Sequence, residues 1–366
     1  MIQFFKSGIY RKIALIFAII ICLTITVTFT INKYVLLRGF EQLEENEIKN
    51  NLDKLQNSIT LYADNLNNIC SDWASWDDTY AFIDNADPAY IASNFADPYS
   101  TMRPLNIDMI FFLNTRGEVI YYKNFDPEST LEEPVPEDLK SHFRPNSTFL
   151  DFSQSDINSP VNGIIQIETG IAIISSNPIL TSTGSGPSKG ALIMVSIMDD
   201  EITRMGTLVD KDFKLKISNG FNFSDKNSSI SFLQEIFDQE NIKSPISLKN
   251  LKVFDADSIV YYSDNTYRSF RLADDIFGAA KIVIDSEGTR DIYKYGLKEF
   301  RNLNIIVFLS SSIIVLLTLL IVNRSFLRRI ATLSREVRLI GEGKIRRKDW
   351  QSGGSMKFPF LKKISI

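Results

Sequence analysis

Residues 72–80 read Asp-Trp-Ala-Ser-Trp-Asp-Asp-Thr-Tyr, bringing together two of the three tryptophans and three carboxylates. Ring faces attract a cation and a neighbouring carboxylate orients it, so such a cluster suits a cationic or polar small-molecule ligand. Trp73, Trp76, Asp77, Asp78 and Tyr80 are therefore the candidate ligand-binding residues. The structural alternative is equally concrete. The tryptophans would plug a core, while Asp72, Asp77 and Asp78 cap turns or hold backbone amides and an arginine such as Arg103. Adjacent Asp77 and Asp78 do not make a glycosidase pair, because neighbours on a helix point about 100° apart and cannot flank one bond. No catalytic residue is assigned.

Other chemistry is sparse. His142, the single histidine, lies between Lys140 and Pro145 and reads as an exposed loop side chain. A triad or a histidine metal site needs partners that the sequence does not place near it. Cys22 falls in an apolar run and Cys70 near the end of a long helical pattern, so they do not pair. With no Cys/His cluster, neither a metal nor a cofactor is expected. The Gly/Ser-rich stretch 181–188 lacks the Lys-Ser/Thr ending of a phosphate loop and reads as a hairpin connection.

The elements that must position residues 72–80 begin far upstream. Apolar residues recur at Ile48, Leu52, Leu55, Ile59, Tyr62, Leu66, Ile69, Trp73, Trp76, Tyr80 and Ile83, in steps of three and four. That is one face of one long helix, and it predicts that Asp77 shares the face with the aromatics. Two runs, 13–31 and 303–322, are apolar and about as long as a membrane-crossing helix. The first exceeds a signal-peptide core and lacks a small-x-small cleavage site, so it is expected to be retained. Lys6, Arg11 and Lys12 precede the first run, and Arg324, Arg328, Arg329, Arg335 and Arg338 come after the second. The positive-inside rule then puts both termini in the cytoplasm and 32–302 outside, in a multi-pass protein of the cell (inner) membrane. Between the spans, 25 Lys+Arg face 41 Asp+Glu, an acidic balance that argues against nucleic acid as a partner.

A stripe leaving the membrane must be buried against its own domain or a second copy, and homodimerisation along the membrane-proximal part is expected. Its phase shifts between Leu36, Phe40, Leu43 and Ile48, across Glu41, Glu44, Glu45 and Glu47. Asp87-Pro88 ends the helical pattern. Strands are expected at 107–113 and 118–122, joined as a hairpin at Gly117, then at 164–167, 171–175 and 191–197, with a helix at 199–209. A smaller β-rich region comes next, with strands at 213–217, 251–254, 258–262, 267–272 and 279–284 and a helix around 232–237. The resulting organisation is α+β: cytoplasmic 1–12, membrane helix 13–31, sensor region 32–210, second subdomain 211–287, membrane-proximal helix 288–302, membrane helix 303–322 and a cytoplasmic end 323–366.

Asp72-Trp73-Ala74-x-Trp76-Asp77-Asp78-Thr79-Tyr80, Asn94 and the hairpin with Gly117 in its turn together resemble the fourth class of CHASE domains. These are extracytoplasmic sensory domains of kinases and cyclases. The resemblance runs from about 61 to 209, and it implies a PAS-like, Cache-type antiparallel sheet. Residues 274–295, with Asp275, Gly278 and Arg290, resemble the segment C-terminal to that domain in such receptors. Residues 323–344 resemble the start of a HAMP linker, with Leu333, Val337 and Ile340 on a bundle face. Ile330 stands where that linker has proline, and no second linker helix comes after it, so a truncated or degenerate linker is expected. A separate cytoplasmic kinase or cyclase would then supply the output. The rival reading is a membrane-anchored scaffold or interaction subunit with no ligand of its own.

Overall fold

The computed structural model describes residues 8–124, 134–151, 160–198, 213–218, 223, 225–242, 246–278, 281–322 and 324. The helix expected at 199–209 and the HAMP-like segment 323–366, Arg324 aside, lie outside them. The chain divides into two units, 1–41 with 293–366, and 42–292.

The first unit holds α1 (Gly8–Ile31), a π-helical turn (Asn32–Leu37), the start of α2 (Arg38–Ala74) and most of α8 (Asp291–Val322). Both helices carry apolar windows, with mean hydropathies of 2.4 and 2.6, and among the described residues neither window has a buried position. Leu15, Ile19, Leu23, Ile314 and Ile321 are exposed, a continuous surface that water does not tolerate and a bilayer does. Thr24, Thr26 and Thr30 donate their hydroxyls back to the carbonyls four residues earlier, which satisfies them where no water is present. Phe29 meets Phe300 edge-on at 5.4 Å, and the ring of Phe40 sits where a Cβ on Gly296 would lie. The π-helical turn at Asn32–Leu37 joins α1 to α2 ahead of the acidic cluster, which lies within α2.

In the second unit α2 is the spine. Its buried seam is Ile48, Leu52, Leu55, Ile59, Ala63, Leu66, Cys70 and Ala74. Tyr62, Ile69 and Trp73 flank it half-buried. Two five-stranded antiparallel sheets pack along this spine. The first contains β1 (Met109–Asn114), β2 (Val119–Asn124), β3 (Val161–Ile167), β4 (Gly170–Pro178) and β5 (Gly190–Ile197), in the order β2-β1-β5-β4-β3. The second contains β6 (Phe213–Ser218), β7 (Leu251–Val253), β8 (Ser258–Tyr262), β9 (Thr266–Asp274) and β10 (Lys281–Thr289), in the order β6-β10-β9-β8-β7. Numbered within each sheet, both run first-fifth-fourth-third, and only the second strand changes edge. The fold is thus α+β, as the sequence predicts, with five-stranded antiparallel sheets of the kind that the CHASE resemblance implies. The second sheet repeats the same central order.

Both faces of the first sheet are buried, which explains its nearly unbroken apolar strands. Ile110, Phe112, Ile173, Leu192 and Met194 pack toward α2, while Met109, Phe111, Ile174, Ile193 and Val195 pack under Phe143, Phe149 and Leu139, the last from α6 (Glu137–Lys140), a single turn like α5 (Pro98–Thr101). From the second sheet, Phe213, Ile282 and Ile284 join the α2 core, and Val283, Phe270 and Leu272 pack with α7 (Lys226–Gln239) through Phe232 and Phe237. Beyond α7, Arg268 grips the carboxylates of Glu240 and Asp285 at 2.5–2.8 Å, and Lys216 adds a bond to each. Arg268 above all holds the Glu240 carboxyl down to about 2.

The expected strands are all present, within a few residues at their ends. Two expectations fail. The helix does not continue through Tyr80: α2 stops at Ala74, Trp76 is extended (φ −81°, ψ 135°), and α3 (Asp77–Asn85) starts afresh. His142 is not a free loop side chain but is half-buried, stacked on Phe277 at 4.3 Å.

Candidate functional site

The break at residues 75–76 has a physical cause. The Ala74 carbonyl, which would continue the helical ladder, instead accepts the Leu180 amide at 3.1 Å. The α2 end is thereby tied to the start of the loop between β4 and β5. Three residues later the Asp77 carboxylate takes both donors of one residue in that loop. Ser182 gives its backbone N–H at 2.9 Å and its hydroxyl at 2.8 Å. These two bonds, the amide first, hold the Asp77 carboxyl below its ordinary value although it is exposed. Asp77 and Asp78 also stand in the first turn of α3, where the helix dipole favours negative charge.

The rest of the junction repeats the pattern. Tyr80 donates its hydroxyl to the Pro187 carbonyl at 3.2 Å, and Lys189 lies over the Tyr80 ring at 3.9 Å while pairing with Asp84. Trp73 and Trp76 stack at 5.1 Å with 26° between their planes, and Trp73 reaches Phe95 of α4 (Pro88–Phe95) at 5.9 Å. Thr79 is fully buried, its hydroxyl 2.7 Å from that of Tyr90. Phe82, Tyr90, Phe95, Phe112 and Tyr121 form a ring cluster below, which fastens α3 and α4 to the first sheet.

Of the five candidates, then, Trp73, Trp76 and Tyr80 are half-buried and Asp77 and Asp78 exposed. The interruption of the helix at 75–76 lets the Asp77 carboxylate turn onto Ser182 and off the face shared with the aromatics. Asp78 does not join that contact. Asp77 holds a backbone amide, as the structural alternative expects, and the residue that supplies it is Ser182 and not Arg103. Ser182, Lys189 and Asp84 escape sequence reasoning, because they lie about a hundred residues away or carry no periodic signal. The Gly/Ser composition of 181–188 marks a hairpin connection correctly and hides its second task of clasping α3.

The latch has a pH dependence of definite sign. A carboxyl with a lowered folded pKa contributes fully above its unfolded value, 3.8, and the contribution is lost as pH falls through the folded value. The contribution of the two Ser182 bonds is therefore present at neutral pH and lost only in acid. Asp77→Ala should remove it at neutral pH, seen as faster cleavage within 181–188 under limited proteolysis. An unchanged cleavage map would refute the latch.

A cleft of about 360 Å³ lies where α2 passes between the sheets, with a floor of Ile59, Ala63 and Ile284 and a rim that includes Asp64 and Asn162. Its size lies at the lower end of small-molecule sites.

Residues 59–216 match the CHASE4 domain model. The methanogenesis regulatory histidine kinase FilI of Methanothrix harundinacea is 22% identical over 339 residues, covering 92% of this chain and 34% of that protein. The chain thus spans about a third of the length of the curated relative it matches. Among solved structures, the extracellular domain of the putative histidine kinase vpHK1S-Z8 is 11% identical, covering 70% of this chain and 95% of that one (TM-score 0.43). The sensor domain of the V. cholerae histidine kinase DctB is 12% identical, covering 68% and 99% (TM-score 0.39).

Proposed function

We propose, from the CHASE4 domain at 59–216, that this chain is the sensory input portion of a transmembrane receptor of the histidine-kinase or chemoreceptor type. It acts as a non-catalytic module, at work as a dimer. The sensor region 32–210 and the second subdomain 211–287 lie outside the cell and both termini inside. A small molecule or an envelope signal shifts the packing of the first sheet on α2, and the change leaves through α8 toward a HAMP-like segment and a cytoplasmic kinase or cyclase.

The observation that carries this reading is the sharing of α2 and α8 by two tasks. α8 is one helix from Asp291 through its membrane-length apolar part, and α2 comes directly after α1 through a π-helical turn, so in sequence each apolar stretch runs on as helix toward the strands. A scaffold has no need of that continuity, and a signal carried by rigid displacement does. The half-buried Trp73–Trp76 stack is the wall offered to a ligand, while Asp77 and Tyr80 hold the loop beside it. Asp78, exposed in the first turn of α3, is the further carboxylate of this candidate site.

The test is a chimera joining residues 1–322 to an intact kinase output, with a thermal-shift screen of small molecules on the full chain to find the stimulus. A compound that raises the midpoint should change output, and Trp76→Ala should abolish both effects while leaving the fold intact. A Trp76→Ala protein that responds normally would remove the tryptophans from the site. A chimera whose output tracks no stimulus would favour the scaffold.

A further inference from the structure

The turn between β9 and β10 does not end in solvent. Its tip, Asp275 to Gly278, reaches across to the first sheet and makes three kinds of contact there. The Ile276 amide donates to the Ile164 carbonyl of β3 at 2.9 Å. Because β3 is an edge strand, this fills a position that would otherwise be open to pairing. The Ile276 side chain occupies the space beside Gly163, where an added Cβ would lie 2.7 Å from Ile276 Cγ2. Phe277 stacks on His142 at 4.3 Å with 15° between the rings and stands 5.7 Å from the fully buried Phe149. These are residues of the outer layer of the first sheet, opposite the face that α2 covers.

The other end of the same strand is equally anchored. β10 runs through nine paired residues with β9 to Thr289. Arg290 comes next, its guanidinium giving two bonds at 3.1 Å to the buried Glu44 of α2, and α8 begins at Asp291. The first sheet is therefore gripped twice, by α2 on its inner face and by the β9–β10 tip at its β3 edge. A change in its tilt or curvature must move β10 relative to α2, since strands transmit displacement along their length with little give.

We propose that the Ile276–Phe277 tip is the coupling element by which the CHASE4 sheet acts on the strand leading into α8. The proposal deepens the receptor reading and rests on it for its purpose. The coupling itself is measurable without any stimulus. His142 and Phe149 form the socket, and Gly163 is the gap left in β3 to admit Ile276.

Hydrogen exchange on the full chain in lipid nanodiscs tests it. Ile173→Val trims one buried methyl from the middle of the first sheet, on β4. With the tip in place, amides of β10 should exchange about fivefold faster, the size of change that such a trim produces in an opening equilibrium. In a Phe277→Ala background the same trim should alter β10 exchange by less than about twofold, and Phe277→Tyr, which keeps the stack, should restore the response. Unchanged protection along 48–74 in Phe277→Ala confirms that the fold persists; if it is lost there, Phe277→Leu serves instead. A β10 that ignores the trim in the parent chain overturns the proposal. So does a response undiminished without the ring, since the route would then be α2. If coupling holds but the kinase chimera fails to respond, the receptor reading fails and the coupling stands.

Discussion

Replacing Glu44 with alanine is expected to lower the thermal midpoint of the full chain by on the order of 10 °C. Glu44 is 3% exposed, and one of its oxygens accepts both Nε–H and NH2 hydrogens of Arg290 at 3.1 Å. Arg290 is itself largely buried, with its guanidinium 4.6 Å above the Tyr262 ring and a long bond to the Ser263 carbonyl. Removing the carboxylate takes this anion away from a guanidinium in a poorly solvated place. Breaking a buried pair from one side typically costs about 3–5 kcal/mol, far more than the pair's net worth. In a unit of this size each kcal/mol moves the midpoint by about 2–4 °C. Glu44→Gln keeps an acceptor and loses the charge, so it should fall between the parent and the alanine variant. Circular dichroism of the three proteins in one detergent decides the matter. A Glu44→Ala shift under about 2 °C would mean that Arg290 finds another anion and that the pair does not fasten the start of α8.

Sequence reasoning succeeds in this molecule wherever one periodicity dominates, and it fails where a distant contact overrides it. The two apolar runs, the α2 seam and the strands are each fixed by a repeat that burial on one or two faces requires. The tryptophan-aspartate motif is legible for the same reason, since its types are rare and crowded. The break at 75–76 is not legible. Residues 72–83 keep the helical repeat, and only the Leu180 and Ser182 amides, more than a hundred residues on, outcompete it. His142 misleads in the same way: its neighbours in sequence are polar, and the ring that covers it comes from Phe277. Charge partners obey this rule too. Arg103 lies nearer to Asp77 in sequence than Ser182 does, and it is Ser182 that binds.

That a single backbone approach sets the junction is clearest at Gly190, whose replacement by alanine should be the most damaging small substitution in the first sheet. Gly190 opens β5 opposite Asn114 of β1, at the centre of the sheet, with φ at +148°. A Cβ there would lie 1.8 Å from the Leu113 carbonyl oxygen and 2.8 Å from the Asn114 Cα. Both obstacles are backbone, so neither moves aside as a side-chain end would. Overpacking costs about 1–3 kcal/mol, and the strained backbone about 1–3 more. The loss should therefore reach about 3 kcal/mol or beyond. Its consequence is directional, because the Gly190 carbonyl also accepts the Ile179 amide at 3.0 Å, one residue before the bond from Leu180 to Ala74. Prising β5 from β1 pulls on the loop that clasps Asp77 and Tyr80. Gly190→Ala should thus lower the urea midpoint and also speed cleavage within 181–188, even well below that midpoint. Gly39→Ala, where nothing lies within 4 Å of the added Cβ, is the matched control and should be neutral or slightly stabilising. If Gly190→Ala loses stability yet leaves the loop as protected as before, the sheet and the latch are independent. The α2 end would then be held by Leu180 alone, and the route from the first sheet to the α2–α3 junction would have to run through the ring cluster of Phe82, Tyr90 and Phe112.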